Sequence, residues 1–432
     1  VPLAFLGTIL VGTVLLMLPV SRAGEGSASL LTALFTSTSA VCVTGLIVED
    51  TPLYWSLFGQ WVILGLFQVG GFGIMTGATL LGLLVAGRVG LGTRLLAQAE
   101  TRCLGLGDVM GVLRLVLLVT LAVESLTTAV LTLQLHFGHG QPWGTALWNG
   151  LFQAVSAFNN AGFSTWSDSL MGYAADPLVI LPITLAVLLG GLGFPVVYEM
   201  WRRPSGFRRW SVHTKITLFG TALLVTGGAL LIGLYEWNNA ATLGPMAAGD
   251  KLLGAVFHSV AARTAGFNSI DTGAMRLETQ TVNWALMFIG GGSAGTAGGI
   301  KITTFFLLGF AVWAEIRGSG DTIAFHRRIP HQALRLALAV VLMALTVLAV
   351  GILALLSVTD LPLHDVVFEA ISASATVGLS TGITGELPPA GQVILIVLMF
   401  VGRVGSVTLA TALALRKRPQ PYRYPEERPI VG

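Results

Sequence analysis

Four glycines carry the most informative chemistry in this chain. Each closes a short segment that opens on a phenylalanine and runs through small or polar residues: Phe35 to Gly45, Phe152 to Gly162, Phe257 to Gly266 and Phe368 to Gly378. The third segment is one residue shorter than the others, and the second, ending Asn159-Asn160-Ala161-Gly162, differs most in composition. Glycine adopts backbone conformations that other residues resist. A chain turning at such a glycine can present successive carbonyls to one side, and converging carbonyl rings replace a cation's hydration shell, as in potassium channels. A short helix from Phe35 to about Val41, with counterparts in the other segments, would aim its C-terminal carbonyls at the same axis, where their partial negative charge favours a cation. One such segment is only a glycine turn; the fourfold recurrence points to a site. The candidate filter is Val43, Thr44 and Gly45; Asn160, Ala161 and Gly162; Thr264, Ala265 and Gly266; and Thr376, Val377 and Gly378. Their backbone carbonyls would hold a cation.

The elements that must position these segments read as membrane helices. Hydrophobic residues make up 54% of the chain and charged residues 10%, against about a quarter charged in soluble domains. Several windows run about 20 residues almost without charge, the length that crosses a bilayer core. Each glycine segment lies between two such stretches. Outer helices are expected near 2–20, 109–135, 214–235 and 333–357, and inner helices near 53–87, 177–200, 280–316 and 389–415. The expected fold is an all-α integral membrane protein: four helix–pore-loop–helix repeats, eight transmembrane helices in all, around one central pore with pseudo-fourfold symmetry. The pore units would be 1–87, 88–200, 201–316 and 317–415, followed by a cytoplasmic tail at 416–432. The stretch Pro2 to Val20, with Ser21-Arg22-Ala23-Gly24 after it, also looks like a signal peptide, but its place in the repeat assigns it to the first unit. The chain opens on Val1, so a short N-terminal piece is expected to precede it.

Loop charge sets the expected orientation. Arg88, Arg94, Arg102, Arg202, Arg203, Arg208, Arg209, Lys215, Arg317, Arg327, Arg328 and Arg335 lie between units, and Arg416, Lys417, Arg418, Arg423 and Arg428 in the tail. These loops and both termini should be cytoplasmic, in a multi-pass protein of the cell membrane. Glu49, Asp50, Asp168, Asp176, Asp250, Asp271, Asp360, Asp365 and Glu386 flank the glycine segments and should face outward. Two readings of them stand: they concentrate cations at a pore mouth, or they are residues under no pressure to stay inside. Cys42 and Cys103 would then lie on opposite sides of the membrane, with no disulfide between them.

The third inner stretch is longer than one span needs, and Gly290 to Gly299 is almost entirely Gly, Ser, Ala and Thr. Each glycine costs a helix about 1 kcal/mol relative to alanine, so the middle should unwind, and an unwound segment must face protein or water. Close helix packing through small residues is the alternative. A nucleotide-binding loop is not, because Gly299-Ile300-Lys301-Ile302 breaks the required Gly-Lys-Ser/Thr pattern. Arg403 lies inside the fourth inner helix, where a charge usually faces a water-filled path or an ion pair. Arg263, three residues before Gly266, would repel a cation if turned inward and so should brace its loop from behind. Glu124 reads either as an ion-path group or as a hydrogen-bonded structural acid. His136 and His139 have no third metal-ligating partner nearby in sequence. No nucleophile–base arrangement, Cys/His metal spacing or dinucleotide fingerprint appears, so neither an enzyme, an organic cofactor nor a nucleic-acid partner is expected.

On these residues the chain resembles the Trk/Ktr/HKT superfamily of potassium transport proteins, and by its eight-helix length the KtrB branch most. The most specific matches are Cys42-Val-Thr-Gly45-Leu, Arg263-Thr-Ala-Gly266-Phe-Asn, Ala375-Thr-Val-Gly378-Leu-Ser and the run Gly290 to Lys301. The resemblance implies a potassium filter with one glycine per unit. It implies an intramembrane gate at Ser293, Ala294, Gly295, Thr296, Ala297 and Gly298, with Lys301 and Arg403 beside it, drawn from the third and fourth units only. It implies a homodimer docked on a cytoplasmic ring of RCK-type nucleotide-binding regulatory subunits resembling KtrA or TrkA. The basic loops would attract anionic lipid as well. The rival readings are a sodium- or proton-coupled potassium symporter and a membrane scaffold that transports nothing.

Overall fold

The computed structural model describes residues 2–87, 109–202, 204 and 206–415. Cys103, the tail beyond 415, and the predicted cytoplasmic charges Arg88, Arg94, Arg102, Arg203, Arg416, Lys417, Arg418, Arg423 and Arg428 lie outside them.

The chain is a helical membrane protein. Its first segment is α1 (Pro2–Leu16), a short α2 (Leu30–Val41) and α3 (Leu57–Gly87). The second is α4 (Val109–Leu133), α5 (Trp143–Asn159), α6 (Pro177–Leu192) and α7 (Phe194–Arg202). The third is α8 (Val212–Glu236), α9 (Ala248–Ala261), α10 (Leu277–Phe288) and α11 (Ile302–Ile316). The fourth is α12 (His331–Leu356), α13 (Leu363–Ser374) and α14 (Pro389–Leu415). A two-stranded antiparallel hairpin, β1 (Ile323–Ala324) and β2 (Arg327–Arg328), joins α11 to α12.

Among the described residues, three helices are each long and apolar enough to cross a bilayer: Arg114–Gly138, Val212–Glu236 and His331–Leu356. The pair α6 and α7 meets the same test together. Leu338, Leu342, Leu345, Val350 and Leu353 of α12 are exposed, a face that suits lipid and not water.

Local chemistry explains the helix starts. The Ser29 hydroxyl accepts from the Thr32 amide at 3.1 Å, and that of Ser211 from Thr214 at 3.2 Å. Asp176 caps α6 by accepting from Leu178 at 2.8 Å, with Pro177 in the first turn, where no amide hydrogen is needed. The four phenylalanines that open the glycine segments, Phe35, Phe152, Phe257 and Phe368, are all 0% exposed. Burying each contributes roughly 1.5–3 kcal/mol, so the repeat is an anchoring pattern as well as a functional one.

Three elements differ from the sequence-based expectation. The short helices begin earlier: α2 starts at Leu30 instead of Phe35, because Ser29 caps it. The stretch 177–200 is not one helix but two, bent by 99° at Gly193. The stretch 280–316 is broken between Phe288 and Ile302, a wider gap than the glycine run alone suggests.

Candidate functional site: a ring of carbonyls over an intramembrane loop

After each short helix the backbone enters the left-handed region twice, at the glycine and two residues before it. The pairs are Val43 (φ 56°) and Gly45 (94°), Asn160 (57°) and Gly162 (72°), Thr264 (70°) and Gly266 (74°), and Thr376 (50°) and Gly378 (98°). Left-handed Val and Thr are genuine outliers, and such conformations persist only where the surroundings over-determine them. The second segment, the most divergent in composition, has the same backbone as the rest.

The four strands close on one another. A Cβ on Gly45 would lie 2.5 Å from the Ala161 carbonyl, on Gly162 3.0 Å from that of Ala265, and on Gly266 2.5 Å from that of Val377. One on Gly378 would strike the Thr44 carbonyl, which returns the circuit to the first unit. Each glycine is therefore required by the neighbouring unit's carbonyl, and Thr44, Ala161, Ala265 and Val377 contribute their carbonyls to one ring.

The strands are pinned from behind in two ways. In the first and fourth units a serine hydroxyl accepts from the glycine amide: Ser39 from Gly45 and Ser372 from Gly378, both at 3.1 Å. In the second unit Ser156 donates instead to the Phe163 carbonyl at 2.7 Å. In the third, the missing residue turns Ser259 away, to the Val225 carbonyl at 2.9 Å. These two units place a longer polar side chain three residues before the glycine. Arg263 donates to the Gly290 carbonyl at 3.1 Å, so it faces away from the ring. Asn159 donates to the Glu124 carboxylate at 3.2 Å and to the Gln68 side-chain oxygen at 2.5 Å.

Beside the ring lies the loop between α10 and α11. Its neck is closed by Gly290 donating to Ile300 at 2.9 Å and Ile300 to Phe288 at 3.1 Å. Gly298 donates to the Thr264 hydroxyl at 3.2 Å and packs against Thr376 and the Ala375 carbonyl. Arg403, 2% exposed, donates from Nη1 to the Thr296 carbonyl at 2.6 Å. Lys301 donates from Nζ to the Ala297 carbonyl at 2.5 Å, and the Ser293 hydroxyl meets that of Thr303 at 3.0 Å. Ala294 is left-handed (φ 59°) and Gly295 packs against the carbonyls of Gly190 and Gly191.

The loop is not confined to the third and fourth units, as the sequence suggested. Thr296 donates from its amide to Gly190 at 3.1 Å and from its hydroxyl to Phe158 at 3.2 Å. Gly292 donates to Gly191 at 2.8 Å, and Phe194 donates to Ala294 at 3.3 Å. The bend between α6 and α7 is thus part of the same assembly. Gly193 occupies it because a Cβ there would strike the Ser293 carbonyl.

With this geometry established, comparison with known proteins places the chain. Residues 9–422 match the family described as "TrkH: Cation transport protein". The chain belongs to that family. It is 41% identical over 430 residues to Ktr system potassium uptake protein B of Bacillus subtilis (strain 168), covering 100% of this chain and 95% of the relative. It is 38% identical to the protein of the same name from Vibrio alginolyticus, covering 100% and 94%. It is 35% identical to potassium/sodium uptake protein NtpJ of Enterococcus hirae, covering 98% and 94%. Its fold is similar to that of the potassium transporter TrkH from Vibrio parahaemolyticus, with a TM-score of 0.70 at 18% identity, covering 96% of this chain and 85% of the other.

None of the acids expected to face outward is buried. Asp176 also accepts from Gln134 at 2.8 Å and pairs with His139 at 2.7 Å. Partial burial pushes its carboxyl upward, but bonds from Gln134, His139 and the Leu178 amide outweigh that and hold it below the usual carboxylate range. His136 bonds the Gln141 carbonyl at 2.7 Å. Among the described residues no three His, Cys, Asp or Glu side chains form a metal-ligand group. Cys42 is a buried free thiol.

Sequence reasoning missed two buried acids. Glu236 accepts from Asn239 at 2.6 Å, Thr242 at 2.5 Å, the Arg276 amide at 3.0 Å and Thr279, joining the end of α8 to the start of α10. Glu369 accepts from Thr384 and so ties α13 to the segment beyond Gly378. Neither carries a motif. The bend at Gly193 did carry one: Gly190-Gly-Leu-Gly-Phe-Pro195 places a proline, which lacks an amide hydrogen, two residues after the last of three glycines.

Proposed function

We propose that the chain is the ion-translocating subunit of a potassium uptake system, with the carbonyl ring as its selectivity filter. The ring closed by Gly45, Gly162, Gly266 and Gly378 carries this reading. Backbone oxygens fixed at that spacing replace water around a cation without needing an acidic side chain. The names of the relatives, both potassium uptake proteins, support potassium as the cargo. In this reading four pore units (1–87, 88–200, 201–316 and 317–415) supply eight spans in pseudo-fourfold order, with both termini cytoplasmic and the basic loops on the inner surface.

The loop Ser293–Gly298 is the gate. Arg403 and Lys301, both bonded to its carbonyls, add positive charge beside it. At an effective dielectric of about 20, a unit charge about 8 Å from a permeating cation raises its energy by about 2 kcal/mol. The subunit pairs as a homodimer, and a cytoplasmic RCK-type nucleotide-binding ring moves the gate. The basic loops also attract anionic lipid.

Potassium, rubidium and sodium flux in proteoliposomes, with and without the ring and with ATP or ADP, tests this. Rubidium and potassium flux that exceeds sodium flux and rises with the ring supports it; absence of flux under every condition overturns it. The second reading, a sodium- or proton-coupled potassium symporter, is favoured by the potassium/sodium name of one relative. Fixed stoichiometric co-movement of sodium or protons would decide for it.

A further inference from the structure

The second pore strand poses a mechanical problem. Asn160 is left-handed, as Val43, Thr264 and Thr376 are in the other strands, but the Gly162 amide lacks the serine bond that holds the first and fourth strands. If the strand relaxed, the Ala161 carbonyl would leave the ring.

A buried polar cluster stands directly behind it. Glu124 of α4 is 5% exposed and Asn159, the last residue of α5, is 0% exposed. One Glu124 oxygen accepts from Gln68 of α3 at 3.2 Å and the other from Asn159 at 3.2 Å. Asn159 also donates to its own helix, at the Val155 carbonyl, at 2.9 Å. Gly71 of α3 packs against the Asn159 side-chain oxygen, where a Cβ would collide, so the glycine lets α3 close on the cluster. Three helices from two units therefore clamp the residue immediately before Asn160. Among the described residues the donors to Glu124 are the neutral amides of Gln68 and Asn159, so the clamp is a hydrogen-bonded fixture and not an ion pair.

We propose that Glu124 is a positioning residue for cation selection: through Gln68 and Asn159 it holds the second pore strand in the conformation that keeps the Ala161 carbonyl in the ring. The proposal rests on the ring being a cation filter. Glu124 touches no cation itself. In the third unit the place of Asn159 is taken by Arg263, also three residues before its glycine, which bonds the Gly290 carbonyl instead.

The test compares rubidium and sodium flux through wild-type protein, Glu124→Leu, Gln68→Leu and Glu124→Gln in proteoliposomes. Leaving buried amides without partners costs about 1–3 kcal/mol, so each leucine variant should lower the rubidium-to-sodium ratio by about fivefold or more. Glutamine keeps the acceptor for Asn159 but gives up the one that Gln68 uses, so it should fall between wild type and Glu124→Leu. If Glu124→Leu does not fold, Gln68→Leu breaks the same link from the other side and decides. An unchanged ratio in a folded leucine variant overturns the proposal. So does a loss in Glu124→Gln as large as in Glu124→Leu, because charge and not bonding would then matter. Wild-type protein with no preference for rubidium overturns the filter reading itself, and the proposal with it, a result visible before any variant is compared.

Discussion

Arg403 donates to the Thr296 carbonyl at 2.6 Å, so a charge on the fourth inner helix fastens the loop of the third. The same threonine donates back to Gly190 and Phe158 of the second unit. Removing the guanidinium frees one side of the loop and takes away a cation beside the proposed path. Arg403→Ala should raise rubidium flux in proteoliposomes about tenfold, the scale of a 1–2 kcal/mol barrier. Equal or lower flux from protein that elutes as wild type would count against the gate.

Gly378→Ala tests the ring. The new methyl meets the Thr44 carbonyl and also forces a left-handed alanine. That conformation alone costs roughly 1–2 kcal/mol. Potassium flux should fall at least about tenfold and discrimination against sodium should weaken. An alanine variant with unaltered flux and selectivity would show that the ring does not line the path.

Gly193→Ala tests whether the bend between α6 and α7 governs the loop. Its backbone (φ 90°, ψ 141°) is open essentially to glycine alone, and the added Cβ would strike the Ser293 carbonyl. The variant should melt at a lower temperature and, if it reconstitutes, should shift basal flux without changing the rubidium-to-sodium ratio. A shifted ratio with unchanged basal flux would separate the bend from the loop.

The Asp176 cluster at the start of α6 sets a pH dependence of stability. A carboxyl held below its unfolded value contributes stability above the ordinary carboxylate pKa of about 4, and loses it as pH falls through the folded value. Asp176→Asn should therefore be less thermally stable than wild type near neutral pH, with the gap closing in acid. Melting curves of purified protein across that range would show it; a gap that widens in acid would contradict the assignment.

The four glycine segments were legible because phenylalanine and glycine each do one job at one place: burial at one end and a positive φ at the other. The broken third inner helix was legible because a run of glycine is a poor helix whatever surrounds it. Other features were not. Asn160 repeats the backbone of Val43 and Thr376 although its side chain shares nothing with theirs, since conformation there is imposed by packing. The hold of Gly190–Phe194 on the loop is made by main-chain atoms, which no residue type advertises. Glu124 was singled out as a buried charge, but its meaning depends on Gln68 and Asn159, which are distant in the chain and adjacent only after three helices pack.

Among the described residues, the loop between α10 and α11 occurs once, not four times. A channel assembled from four identical subunits would have to repeat such an insertion at every position around its axis, and four copies would compete for the space one fills. Carrying all four units on a single polypeptide releases each from copying the others. In the proposed reading one unit supplies a plug, another its latch and a third its hinge, while the four strands of the ring beside them keep one backbone.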